Sequence, residues 1–135
     1  MHRVYETPEG FDDLSPKEKT YFAVCILDSE VYNGGMNQFF FNSSGEYFSA
    51  ALNGLAELGA FHSRELLMAA RSALFPDGNM PRDTQSRRTL LNSRDDESKT
   101  DQVLNELDEK YYADPDKLGD RLRKYALENH LVKLV

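Results

Sequence analysis

The chain predicts an all-α fold: a single compact domain of about six to seven helices. Three observations carry this expectation. Apolar residues recur three and four positions apart along most of the 135 residues, which is the period of an amphipathic helix. No stretch sustains the apolar–polar alternation of a half-buried strand. Helix start and stop signals punctuate the chain, and neither a repeat nor a long linker divides it. The length suits one domain burying about two-thirds of its unfolded surface.

The elements follow in order. Residues 1–14 carry Pro8, Gly10 and several acids, and read as an N-terminal arm; the helical domain spans 15–135. Ser15-Pro16-Lys17-Glu18 is a helix start, with Ser15 as cap, Pro16 in the first turn and Glu18 completing the box. Tyr21, Val24, Cys25, Asp28 and Val31 then keep helical spacing, so the first helix runs to about Tyr32. Asn33-Gly34-Gly35 predicts a chain reversal, because Asn tolerates left-handed backbone and Gly enters it without steric cost. Met36 to Asn42 reads as a short helix, with Gln38 and Asn42 on one face and Phe39, Phe40 and Phe41 across the others. In Ser43-Ser44-Gly45-Glu46 the Ser43 hydroxyl is expected to cap the Glu46 amide, with the Glu46 carboxylate reaching back. A third helix carries Phe48, Ala51, Leu52, Leu55 and Leu58, and Gly59 ends it.

Ser63 is expected to cap a fourth helix, Arg64 to Phe75. Phe75 to Pro81 is a loop by local signals. Asp83 caps a fifth helix to about Leu91, and the polar segment 92–99 follows. A sixth helix is expected from Thr100 to Tyr112. Asp114-Pro115 starts a seventh, with Leu118, Leu122, Tyr125, Ala126 and Leu131 as its core face.

Composition excludes several function classes. The net charge is −7 and the pI about 4.9, which disfavours direct nucleic-acid binding, since phosphates must be met by Lys and Arg. Residues 1–60 hold nine acids and three bases; residues 61–97 hold six of each. The excess negative charge therefore lies in the first part of the chain, either as a solubilising surface or as a face for a basic partner. No apolar run approaches the roughly 20 residues that span a bilayer, and the N-terminus lacks a signal-peptide core. Cys25 is alone, so a reducing, cytoplasmic setting is the expectation.

No motif announces catalysis. His2, His62 and His130 lie far apart without metal-ligand spacing, and Cys25 on an apolar face reads as a small hydrophobe. Ser43 and Ser44 lack a nucleophile elbow. Gly34-Gly35 is not followed by Gly-Lys-Ser/Thr, so it is not a phosphate loop. Asp95-Asp96-Glu97 lacks the alternating pattern of a calcium loop. Asn33, Asn37, Gln38 and Asn42 sit among Phe residues that must be buried. Either they bond backbone groups at the two chain reversals, or some of them line a cleft.

The string Asn33-Gly34-Gly35, Gln38-Phe39-Phe40, Asn42-Ser43 and Gly45, followed by an Ala/Leu-rich helix ending Leu58-Gly59-Ala60, resembles the DMP19-like family, also catalogued as DUF4375. The similarity continues through Phe75-Pro76, Leu107-Asp108 and Tyr111-Tyr112 into the last helix, and covers most of residues 20–130. The resemblance implies an all-helical fold. It also implies the role of the family's best-known member, a DNA mimic that sets carboxylates where phosphates would be and occupies a transcriptional repressor.

The expected function is a non-enzymatic acidic domain that binds a protein, such as a DNA-binding regulator, through Asp12, Asp13, Asp28, Glu30, Glu46 and Glu57. The motif Asn33, Gly34, Gly35, Gln38, Phe39, Phe40, Asn42, Ser43 and Gly45 is expected to be structural. No cofactor or metal, direct nucleic-acid contact or membrane contact is expected, and a homodimer stays open. The alternatives are a small-molecule-binding or hydrolytic domain using Asn33, Gln38, Asn42 and Glu46, or an immunity-type accessory protein.

Overall fold

The computed structural model describes residues 8–94 and 97–131. In chain order these form α1 (Pro8–Asp12), α2 (Pro16–Phe41), a 3-10 turn (Ser43–Tyr47), α3 (Phe48–Glu57), α4 (Phe61–Leu74), α5 (Thr84–Asn92), α6 (Glu97–Tyr112) and α7 (Leu118–Glu128). No strand occurs among the described residues. Residues 1–7 of the expected arm, and Asp95 and Asp96 of the expected polar loop, lie outside them.

α2 is the central element, packed by the 3-10 turn and by α3, α4, α5, α6 and α7. That position explains its composition. Phe22, Ala23, Val24, Leu27, Val31, Met36, Phe39 and Phe40 are all buried, so apolar residues occur on several faces rather than on one stripe. The capping box at its start forms as expected: the Glu18 amide donates to Ser15 Oγ (3.2 Å) and the Ser15 amide donates to Glu18 Oε1 (2.9 Å).

The reversal expected at Asn33-Gly34-Gly35 is instead a kink within α2. Gly34 (φ −157°, ψ 15°) and Gly35 (φ 84°, ψ 177°) leave helical geometry, and the chain resumes as a helix over 36–41. Gly35 occupies a backbone region that only glycine enters readily.

The arm reading also changes. Pro8–Asp12 is helical, Leu14 is buried, and the Phe11 ring packs 5.4 Å from Phe22 and 4.8 Å from Tyr47. An aromatic residue near the chain start can gain more from burial than the arm loses in entropy.

Two other helix starts are capped by carboxylates that lie outside the helix, one distant and one local. α4 begins at Phe61, two residues before the expected cap Ser63, and its own N-cap Ala60 supplies no side-chain bond. The carboxylate is supplied by Asp116, which accepts the Ser63 amide at 2.7 Å. α7 begins at Leu118 rather than at Pro115, and Asp114 Oδ1 accepts its first amide at 2.9 Å. Asp83 caps α5 as expected, accepting from the Ser86 amide at 2.8 Å. Gly59 (φ 77°) ends α3, with the Ala60 amide bonded to the Leu55 carbonyl at 2.8 Å, a left-handed helix stop.

Candidate functional site

The short segment 36–41 is held at both ends by side chains distant in sequence. At its C-terminal end Arg87, on α5, is fully buried. Its Nε donates to the Phe40 carbonyl (2.9 Å), Nη2 to the Asn42 carbonyl (2.8 Å) and to Thr84 Oγ1 (3.1 Å), and Nη1 to the Arg82 carbonyl. Arg88 Nε donates to the Phe41 carbonyl at 2.8 Å, and its guanidinium lies 4.7 Å from the Phe41 ring. Two cations thus meet the carbonyl end of a helix, where the dipole favours them. Burial pulls the Arg87 pKa down, while Glu46 and Asp83 oppose that shift. A Cβ on Gly45 would lie 2.8 Å from the Arg87 guanidinium, so a side chain there would displace it.

The expected capping box at Ser43 does not form. Ser43 lies in the 3-10 turn, and the Asn42 side chain makes no cap bond to it. The Glu46 carboxylate turns instead to Thr84, accepting from Oγ1 at 2.5 Å. Ser44 rather than Ser43 is buried; its hydroxyl donates to the Phe39 carbonyl (2.9 Å) and lies 3.3 Å from Glu30 Oε2. The 3-10 geometry rotates these side chains away from the positions an α-helical start would give them.

The N-terminal end of 36–41 is held by α6. The Met36 amide donates to Asp108 Oδ1 at 2.8 Å, and a Cβ on Gly35 would lie 2.4 Å from Asp108 Oδ2. The same helix holds the segment before the kink. Tyr112 donates to the Val31 carbonyl (2.6 Å) and Tyr111 to Asp28 Oδ1 (2.7 Å). Tyr32 lies against both rings, 5.8 Å from Tyr111 and 5.1 Å from Tyr112. Burial raises the Asp28 carboxyl pKa, and Asp114 raises it further against the Tyr111 bond. Burial likewise raises Asp108, opposed by the Met36 amide.

This junction is open to solvent. A depression of about 430 Å³ is lined by Gly34, Gly35, Asn105, Asp108, Glu109 and Tyr112. Tyr32 is 54% and Tyr112 42% exposed. The phenol pKa of Tyr32 is raised by burial and by Asp28 and Asp114, and that of Tyr112 by burial and by Asp108. None of Asp28, Asp108, Glu109 and Asp114 forms an ion pair among the described residues.

The six acids proposed from sequence are not gathered into one free face. Asp28 accepts from Tyr111, Glu30 from Asn42 Nδ2 (3.0 Å), Glu46 from Thr84, and Glu57 from Tyr125 and from Lys17 (3.3 Å). Asp12 and Asp13 are exposed, and Asp12 and Glu46 line a cavity beside the 3-10 turn. The amides do not converge on one cleft either. Asn33 and Asn37 are exposed, Gln38 folds over Gly34, and Asn42 contacts Glu30 and Arg88. The local sequence pattern carries no sign of a role for Arg87, Arg88, Asp108, Tyr112 or Asp116. One signal was available: a glycine break without a local cap needs a carboxylate from elsewhere for the exposed amide after it.

No group of three His, Cys, Asp or Glu among the described residues is placed to hold a metal ion. His62, Ser63 and Asp116 do meet, with His62 Nδ1 3.0 Å from Asp116 Oδ1. The Ser63 hydroxyl, however, bonds Asp116 rather than the imidazole and is buried, so the trio caps α4 and lacks the serine–imidazole bond of a nucleophilic site. Burial pushes the Cys25 thiol up to about 11, far from a reactive thiolate. No helix among the described residues is long and apolar enough to cross a membrane.

No curated protein and no solved structure matches this chain. A family model described as DMP19-like protein matches residues 12–130, a span that includes the kink, both junctions and the helices that hold them. The chain belongs to the DMP19-like family.

Proposed function

We propose that this chain is a non-enzymatic, acidic protein-binding domain that receives a basic partner at the open junction between α2 and α6. One observation supports the reading. Asp108 and Glu109 line the depression with the exposed Tyr112, Asp28 and Asp114 act on the neighbouring exposed Tyr32, and none of the four carboxylates forms an ion pair among the described residues. Carboxylates beside exposed aromatic faces suit Arg and Lys side chains, which gain both charge attraction and a cation–π contact of about 0.5–2 kcal/mol. A DNA-binding regulator offers such side chains already arranged for phosphates. The DNA-mimic role is therefore the finer form of the same proposal.

The test is co-purification from the native cell at low and high salt, with mass spectrometry of what is retained. The reading expects a basic protein held at low salt and released at high salt, because charge complementarity across a rim is screened. A partner held equally at both would contradict it.

A further inference from the structure

The cavity beside the 3-10 turn is separate from the open junction. It measures about 370 Å³, within the range of roughly 300–1,000 Å³ that holds small ligands. Its apolar wall is made by Phe11, Tyr47, Phe48 and Met80, and its charged rim by Asp12, Glu46 and Arg82. The aromatic wall is fixed, since Phe11, Phe22 and Tyr47 stack on one another at 4.8–5.4 Å. The rim charges do not neutralise each other: Arg82 forms no ion pair with Asp12 or Glu46 among the described residues. Asp12, Glu46 and Tyr47 line the same cavity, and burial together with the Glu46 and Asp12 charges raises the Tyr47 phenol pKa.

Unlike charges that share a cavity without pairing are preorganised for a ligand carrying the complementary pair. A single-charge ligand would leave one rim group without a partner. We propose that this cavity binds a zwitterionic molecule with an apolar body of about dipeptide size, its anionic group on Arg82, its cationic group on Asp12 and Glu46, and its body against Phe11, Tyr47, Phe48 and Met80. The role is independent of partner binding at the open junction. It replaces the amide cleft expected from sequence: Glu46 is retained, and Asp12 and Arg82 take the places of Asn33, Gln38 and Asn42.

The test titrates the full chain with leucyl-phenylalanine and follows backbone amide resonances by NMR. Shifts concentrated at Gly45, Tyr47, Phe48, Ser49 and Ala50 are expected. N-acetylation or C-amidation of the probe should each weaken binding at least tenfold. Arg82→Gln should abolish the sensitivity to amidation, and Asp12→Asn should reduce the sensitivity to acetylation. Both side chains are exposed, so the variants leave the core intact. Absence of shifts at millimolar probe, shifts centred elsewhere, or equal binding of the doubly blocked probe would each overturn the proposal.

Discussion

The two ends of residues 36–41 solve one problem in opposite ways. At the C-terminal end the carbonyls meet Arg87 and Arg88, and Arg87 is sealed from solvent. At the N-terminal end the Met36 amide meets Asp108, which stays half-exposed in a depression shared with Glu109 and the exposed Tyr112. Each end has the sign the helix dipole favours. The difference is in closure. A buried guanidinium whose donors reach carbonyls and Thr84 leaves little for a ligand to do. A capping carboxylate at an open depression leaves charge and aromatic surface available. A sealed end and an open end thus lie less than two helical turns apart on one element.

The comparison can be broken most severely at the closed end. Arg87→Met removes the donors to the Phe40, Asn42 and Arg82 carbonyls and should cost about 3–5 kcal/mol. Urea unfolding measures this. Arg87→Lys should recover less than half, because a single ammonium cannot fork to several carbonyls. A loss below about 1 kcal/mol for Arg87→Met would show that the closed end is not what holds α5 to α2.

At the open end, Gly35→Ala should cost about 2–4 kcal/mol. Backbone strain supplies roughly 1–3 of this, and displacement of the Asp108 carboxylate from Met36 the remainder. The two causes separate in a double-mutant cycle. In an Asp108→Ala background the cost of Gly35→Ala should shrink to the strain alone.

Tyr112→Phe removes one bond to the Val31 carbonyl and should cost about 1 kcal/mol, with the depression left in place.

The smallest effect is a gain. Folding raises the Asp28 carboxyl pKa, chiefly by burial. The folded state therefore holds that proton more tightly than the unfolded state. This group's contribution is most favourable at acid pH and declines as pH rises from the ordinary carboxylate value through the raised one. Asp28→Asn keeps an acceptor for Tyr111 and removes the charge. It should be modestly more stable than the parent at neutral pH and should lose that advantage in acid. Thermal unfolding across pH 3–8 (the range that brackets carboxylate titration) reads both.

Local signals made most of the fold legible. The Ser15–Glu18 box, the Asp83 cap and the Gly59 stop depend on residues within five positions, and each forms. The readings at Ser43 and Ser63 failed for a shared reason. Both relied on the nearest hydroxyl, whereas the chain uses Thr84 for Glu46 and Asp116 for the Ser63 amide, 38 and 53 residues away. Periodicity carries no information about such pairings. Arg87 was hidden for the same reason: in a polar sequence context a buried arginine looks like any surface charge until its carbonyl partners come together. The acidic character of the chain was legible, but the acids that remain available were not. Glu30 and Glu57 were singled out and are held by internal partners, while Glu109, unremarked in the sequence, lines the depression.

The most direct test of the contrast between the two ends removes the same charge in two places. Glu109→Gln with Asp114→Asn removes two of the four carboxylates at the open junction; Glu65→Gln with Asp77→Asn removes two exposed acids elsewhere. The first pair should abolish low-salt retention of the basic partner from the native cell while leaving unfolding midpoints near the parent value, and the second should leave retention intact. Equal loss from both pairs, or from neither, would contradict the assignment of the open junction as the binding surface.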